Sequence, residues 1–479
     1  MKWMHLLIMT ILVAFLSVLA RDSAGDAVLF GVDASRNMVS YETNVPAEWD
    51  PESGLNIKWT ARLGSQTYTN PLVTGGKIFI ATNNEGLRNP ELTGDRGNIL
   101  VFRESDGEFL WQATHLKLPA GIVNDWPLQG ICSTGYVEGD RMWYVSNRCE
   151  VVCVDTEGFL DGENDGPYQD EEDTGKTDFD IIWKLDMMDE LDVFPHNLAA
   201  GSPLVIGDIV YTVTGNGVDE SHILIPSPGA PSFLALNKHT GEVVWEDNSP
   251  GENILHGTWS NPSYGEIGGV PQVIFPGGDG WLYSFVPESG ELIWKFNCNP
   301  KDAVWELGGA GTKNNIVATP VIYDGLVYIG VGQDPEHGEA PGHLWAIDPA
   351  GKSGDITGEA VVWHLHGEEF HRTMSTPAIG NDLMFISDLS GFLYCLNPKT
   401  GEKYWTYDTF AAIWGSPMMA DGKVYIGDED GDVAVLKASK EKELLHEVNM
   451  GSAVYSTPVV RHGVLYIASR TTLFAIAAP

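Results

Sequence analysis

Residues 375–405 read Ser-Thr-Pro-Ala-Ile-Gly-Asn-Asp-Leu-Met-Phe-Ile-Ser-Asp-Leu-Ser-Gly-Phe-Leu-Tyr-Cys-Leu-Asn-Pro-Lys-Thr-Gly-Glu-Lys-Tyr-Trp. The stretch contains four short runs. Pro377-Ala378-Ile379 enters the turn Gly380-Asn381-Asp382, and Leu383-Met384-Phe385-Ile386 follows. Asp388-Leu389-Ser390-Gly391 turns the chain into Phe392-Leu393-Tyr394-Cys395-Leu396, and Pro398-Lys399-Thr400-Gly401 turns it into Lys403-Tyr404-Trp405. Alternation with a period of two, broken by Gly, Asn and Asp turns, predicts antiparallel strands joined by hairpins.

The same unit recurs along the chain. Clear copies start at Ser202-Pro203, Thr319-Pro320, Ser416-Pro417 and Ser456-Thr457-Pro458, with variants at Asn70-Pro71, Ser133-Thr134-Gly135 and Asn261-Pro262. Together with Thr376-Pro377 these make eight units, spaced by 64, 68, 59, 58, 57, 40 and 41 residues. About 40 residues suffice for a bare four-stranded blade, so the longer units carry inserted loops. The reading is all-β: an eight-bladed β-propeller of four-stranded antiparallel blades. A Trp closes most units, at Trp111, Trp183, Trp245, Trp294, Trp363 and Trp405, and is assigned to packing between blades. The seventh unit offers Leu444 or Leu445 at that place, and the eighth ends at Pro479 before any such strand. Leu55-Asn56-Ile57-Lys58-Trp59-Thr60 supplies the missing strand, so an N-terminal strand should close the ring and remove its edges. The chain divides into a signal peptide at 1–20, an extension at 21–54, and a propeller at 55–479 with an acidic insertion at 155–180.

Lys2 followed by an apolar run from Leu6 to Ala20, ending Val18-Leu19-Ala20, has the form of a secretory signal cleaved near Ala20. The run is too short to span a membrane, so the mature chain is expected in the periplasm or outside the cell, as a monomer with no transmembrane span. The sequence has 66 acidic and 28 basic side chains, a formal charge of −38. Such a charge repels phosphates and anionic lipids and excludes nucleic acid as a partner. The 43% of hydrophobic residues excludes disorder as the reason for that charge. The five cysteines have no haem or zinc spacing, and Cys149 and Cys153 stand too far apart along a strand to pair.

These units resemble the pyrroloquinoline-quinone (PQQ) repeat, over roughly residues 55 to 478. The long insertions look most like those of planctomycete members. Two branches share the repeat. The quinoprotein alcohol dehydrogenases hold PQQ and calcium in the central funnel, and the BamB subunit of the outer-membrane assembly machine is a non-enzymatic scaffold. The dehydrogenase resemblance implies a calcium-ligating role for Asn216, because Thr214-Gly215-Asn216 matches the start of that family's ligand loop. The loop departs from the pattern at Gly217-Val218-Asp219-Glu220, and the family's adjacent cysteine pair is absent. Against BamB, no Cys follows the apolar run to carry a lipid.

Residues before each head Pro should line the channel mouth. Six positions before it stand Ser65, Gln129, Asn197, His256, Asn314, His371, Ala411 and Ser452; three before it stand Tyr68, Cys132, Ala200, Trp259, Val317, Met374, Trp414 and Tyr455. Asn197, His256, Trp259, Lys313, Asn314, His371, Arg372, Trp414 and Tyr455 then form a rim suited to a protein partner or a small anionic or aromatic ligand. Asp161, Glu163, Asp165 and Glu172 occupy positions 1, 3, 5 and 12 of a loop with Gly166 at position 6, the spacing of a calcium loop. His364-x-His366 shares one strand face, with His371 further on, a spacing that suits a transition metal. The expected function is an exported binding or scaffold propeller without catalysis; the alternative is a PQQ- and calcium-dependent dehydrogenase acting on an alcohol or sugar.

Overall fold

The computed structural model describes residues 28–306, 311–333 and 341–478. The expected signal peptide and its cleavage near Ala20 lie outside them. Eight antiparallel sheets form the blades of a ring. In the sixth, Ala378–Gly380, Leu383–Ser387, Phe392–Leu396 and Lys403–Asp408 pair in chain order, from the channel outwards. The eighth has Val459–Arg461, Val464–Ala468 and Thr472–Ile476, completed by Ile57–Arg62 from the other end of the chain. Trp59 faces Ala475 and Arg62 faces Thr472. The closing strand thus starts two residues later than expected, because Asn56 sits at φ 58°, outside the extended region. Met187–Leu191 is the one α-helix among the described residues, and no helix there is long and apolar enough to cross a membrane.

Each blade grips the next through its Trp. The indole Nε1 of Trp183 donates to Lys238 O in the following blade (2.9 Å), and Trp363 does the same to Pro398 O (2.8 Å). Trp59, Trp111, Trp245 and Trp405 repeat the contact with Glu104, Thr156, Pro287 and Ser439. The Gly of the Thr-Gly turn lies beneath the ring. A Cβ on Gly241 would stand 2.5 Å from Trp183, and its φ of 75° is one that side chains resist. Trp294 departs from this scheme and donates within its own blade to Gln272. In the seventh blade the register that the outer strands share places His446, rather than Leu444 or Leu445, at the Trp position, opposite Val435. Both leucines are exposed, as are Val243 and Val244 of the third blade and Val361 and Val362 of the fifth at the same places. Trp49, from the N-terminal segment, packs edge-on against His446 and is fully buried.

A second set of contacts circles the channel at the residue before each head Pro. Thr376 N–H donates to Ser416 Oγ (2.9 Å), Ser416 N–H to Thr457 Oγ1 (3.1 Å) and Thr457 N–H to Asn70 Oδ1 (2.8 Å). The sequence runs on through Asn70 to Thr134, Thr134 to Ser202, Ser202 to Asn261 and Asn261 to Thr319. The motif of a small polar residue followed by Pro therefore has a purpose: the side chain accepts from the preceding blade. The step from Thr319 to Thr376 is the gap, and Thr376 Oγ1 is buried there without a partner.

Residues 28–40 fill the channel on the far side of this girdle. Val28 pairs with Val137, Ala34 O accepts from Tyr264 N–H, Ser35 O from Ile322 N–H and Met38 O from Met419 N–H. The Asn37 side chain brackets both backbone groups of Ile379 (2.8 Å each), and Val39–Ser40 adds a parallel strand to the seventh blade. Arg36 is fully buried. Its guanidinium donates to the carbonyls of Phe30 (2.9 Å), Ser202 (2.9 Å), Pro203 (3.1 Å) and Pro262 (2.7 Å). The inner edges of the second, fourth, fifth, sixth and seventh blades are thus capped by the chain's own N-terminal segment.

Two outcomes follow from these contacts. Arg36→Met, which leaves those carbonyls buried without donors, should lower unfolding stability by about 3–5 kcal/mol in a urea titration. Gly241→Ala should cost about 2–4 kcal/mol by strain at positive φ and a clash with Trp183; an unchanged midpoint would remove the Gly–Trp contact as a structural requirement.

Candidate functional site

The girdle and the N-terminal segment close the channel from below, and above them lies a hollow of about 350 Å³. It is lined by Tyr68, Trp126, Gln129, Cys132, Asn197, Leu198, Ala200, Trp259, Val317, Met374 and Trp414. Seven of these are the residues three positions before a head Pro, brought to one axis by the ring. The eighth, Tyr455, stacks on Tyr68 (5.1 Å between centroids, 9° between planes) and leans on Trp414 (5.3 Å). Trp259 is held by its Nε1, which donates to the carbonyls of His196 and Leu198 (3.1 Å each). Trp414 Nε1 reaches Glu429 (3.3 Å). No charged side chain is among the described lining residues. Partial burial pushes the Cys132 thiol up to about 12 and raises the Tyr68 hydroxyl as well, so both stay neutral.

The positions six before the head Pro diverge. Asn197 and Gln129 line the hollow. Asn314 is fully buried, its Nδ2 donating to Thr312 O (3.4 Å) and Pro341 O (3.1 Å). Its backbone exchanges two hydrogen bonds with the Asn299 side chain. Lys313 lies near the buried Asp279, whose carboxyl burial pushes up to about 6. His371 turns to Asp388 (Nδ1 to Oδ2, 2.9 Å), and the Arg372 stem packs against Gly332. None of these last four lines the hollow. Trp126 and Leu198, which do, come from loops outside the repeat, where no spacing singles them out.

His256 lies behind Trp259, with ring centroids 4.8 Å apart. It is joined there by His196 and His222, neither of which the motif reading selected. Asn216 is buried beneath them. Its Oδ1 accepts from Phe194 N–H (3.0 Å) and its Nδ2 donates to Ser227 O (2.9 Å), so both ends of the amide hold loops together. PQQ is a tricarboxylate carried on a divalent ion. The described hollow offers it neither a cation nor a carboxylate, and Asn216 Oδ1 is already engaged. These residues do not fit that cofactor.

Two further groups lie away from the channel. Asp161, Glu163 and Asp165 converge, with one oxygen from each within 4.8 Å of the others. The acidic loop connects Glu150–Asp155 to Ile181–Asp186 of the second blade. Asp165 N–H donates to Asp180 (2.8 Å), whose carboxyl burial raises to about 6. Glu172 does not join the three; it faces a separate cleft with Arg96, His115, Arg148 and Lys184. The third ring beside His364 and His366 is His343, not His371, because His343 pairs directly opposite His366. His343 Nδ1 lies 3.0 Å from His364 Nε2, and His364 stacks flat on Trp345 (3.4 Å). Burial and the neighbouring imidazoles pull His343 down to about 4 and His364 to about 3, so both are neutral at physiological pH.

The profile of the family described as "Outer membrane protein assembly factor BamB" matches residues 181–356 and 340–478. The chain is 23% identical over 307 residues to the tetrathionate hydrolase of Acidithiobacillus ferrooxidans, covering 58% of this chain and 56% of that one. To the BamB of Yersinia pestis it is 23% identical over 322 residues, 54% of this chain and 77% of that one. A quinohemoprotein alcohol dehydrogenase from Pseudomonas putida shares the fold with a TM-score of 0.61 at 11% identity, over 94% of this chain and 79% of that one. The chain therefore spans only about half the length of the hydrolase it matches. The blade repeat, the ring it builds and the family profile over most of the chain lead to one assignment: this protein belongs to the BamB family of PQQ-repeat propellers.

Proposed function

We propose that this chain is an exported binding propeller that works without catalysis. Its channel mouth holds an aromatic or apolar group, presented by a protein partner or carried by a small ligand. The observation that carries this reading is the hollow itself. Trp126, Trp259, Trp414 and Tyr68 offer ring surfaces at low entropic cost, and the described lining has no acid or base positioned for proton transfer. The family's name, an assembly factor, agrees with a role in holding another protein. An anionic ligand finds less support, since Lys313 and Arg372 do not line the hollow. The alternative, a PQQ- and calcium-dependent dehydrogenase for an alcohol or sugar, draws on the likeness to the Pseudomonas enzyme, but Asn216 is spent in packing.

Anilinonaphthalene sulfonate, an aromatic probe, should bind with one equivalent, and Trp259→Ala or Trp414→Ala should weaken it about tenfold, the loss of one good aromatic contact. Tight uptake of PQQ with calcium, accompanied by dye-linked alcohol oxidation, would overturn the non-catalytic reading. Calcium is assigned to Asp161, Glu163 and Asp165, an all-oxygen donor set suited to a hard cation. Millimolar calcium should then raise the melting temperature, and Asp161→Asn should abolish the rise; equal melting with and without the ion removes this site.

A further inference from the structure

Three histidines from separate loops converge behind the funnel wall. His196 precedes the third blade, His222 lies in that blade's insertion, and His256 leads into the fourth. One ring nitrogen of each lies within 4.8 Å of the others, and His196 Nε2 and His222 Nε2 are 3.1 Å apart. We propose that His196, His222 and His256 bind a divalent transition-metal ion of the zinc class.

The chemistry of the donor set selects the ion. Three imidazoles suit zinc, cobalt, nickel or copper, whereas calcium and magnesium require oxygen. Two nitrogens bound at 2.0–2.1 Å around a tetrahedral zinc stand about 3.3 Å apart, close to the separation found here. The His196 tautomer is fixed as well. Its Nδ1 lies 2.7 Å from Val218 O and donates to it, which directs the lone pair of Nε2 into the cluster. His196 and His256 are buried, and His222 is partly exposed, which leaves a route of entry.

The surrounding loop is shaped for this arrangement. His222 takes φ 58°, an uncommon conformation for a residue with a side chain. The turn is held by the Asp219 carboxylate, which accepts from Ser221 Oγ (2.7 Å), Ile223 N–H (3.3 Å) and Leu224 N–H (3.2 Å). Gly217 pairs with Gly257, and a Cβ there would lie 2.4 Å from His256 O. Val218 N–H donates to that same carbonyl (2.9 Å). Gly217, Val218 and Asp219 are the residues at which the loop leaves the dehydrogenase pattern. Each has a part in assembling the three rings.

The test uses the full mature chain without a histidine tag, stripped with a chelator and titrated with cobalt(II) and then zinc at pH 7.5. One equivalent of cobalt should bind with the visible bands of a tetrahedral nitrogen-rich site, and zinc should displace it. His222→Ala should weaken uptake at least tenfold, with His222→Gln as the replacement if the alanine variant fails to fold. His364→Ala, in the other histidine group, should leave this uptake unchanged. At pH 5.5 binding should fall sharply, because the imidazoles must shed protons to ligate. Absence of tetrahedral cobalt bands in the parent chain overturns the proposal. So does uptake that survives His222→Ala, or uptake that depends on His364.

Discussion

The circle of hydrogen bonds at the head of each inner strand is the constraint on which the rest of the molecule depends. Eight strands must point at one axis, and sheet pairing within blades says nothing about how blades meet. The Ser, Thr and Asn side chains at the head of each inner strand link one blade to the next from Thr376 through Thr457 and Asn70 round to Thr319, with one open step between Thr319 and Thr376. That register places the residues two steps upstream around a common mouth. It also sets the strand edges two steps downstream at a distance the N-terminal segment can bridge. The Trp contacts act further out, at the rim, and fix the angle between blades. Inner and outer contacts together leave each blade little freedom to rock.

Much of this was legible in the chain because repeats multiply weak signals. One Ser-Pro or Thr-Gly means little; eight copies in phase with apolar alternation specify blades, their order and the closing strand. The funnel wall was legible for the same reason, since symmetry carries a position in one unit to all of them. What escaped was whatever stands outside the symmetry. Arg36 binds carbonyls, which every residue presents equally, so no partner in the sequence points to it. Trp49 covers the blade whose own Trp is replaced by His446, and the two apolar leucines just before that position drew attention away from the substitution. The three histidines come from loops that only the folded ring brings together.

The charge of −38 and the uncharged hollow make a coherent pair. Acidic groups in such excess repel one another across the outer surface. The mouth, cleared of charge, is where an apolar group gains most by leaving water. The half-buried Tyr68 and Cys132 keep their hydrogens across the physiological range, so the character of the wall does not drift with pH.

The segment in the channel also sets the order in which the molecule can be completed. Asn37 bonds to Ile379, 342 residues away, and Met38 to Met419. A ribosome delivers the start of the chain first, yet its docking site exists only after the seventh blade has been made. Residues 28–40 therefore cannot seat before the seventh blade exists, like a keystone that waits for its vault. Once seated, they tie the second blade to the seventh across the axis, so that strands far apart in the chain share one inner brace.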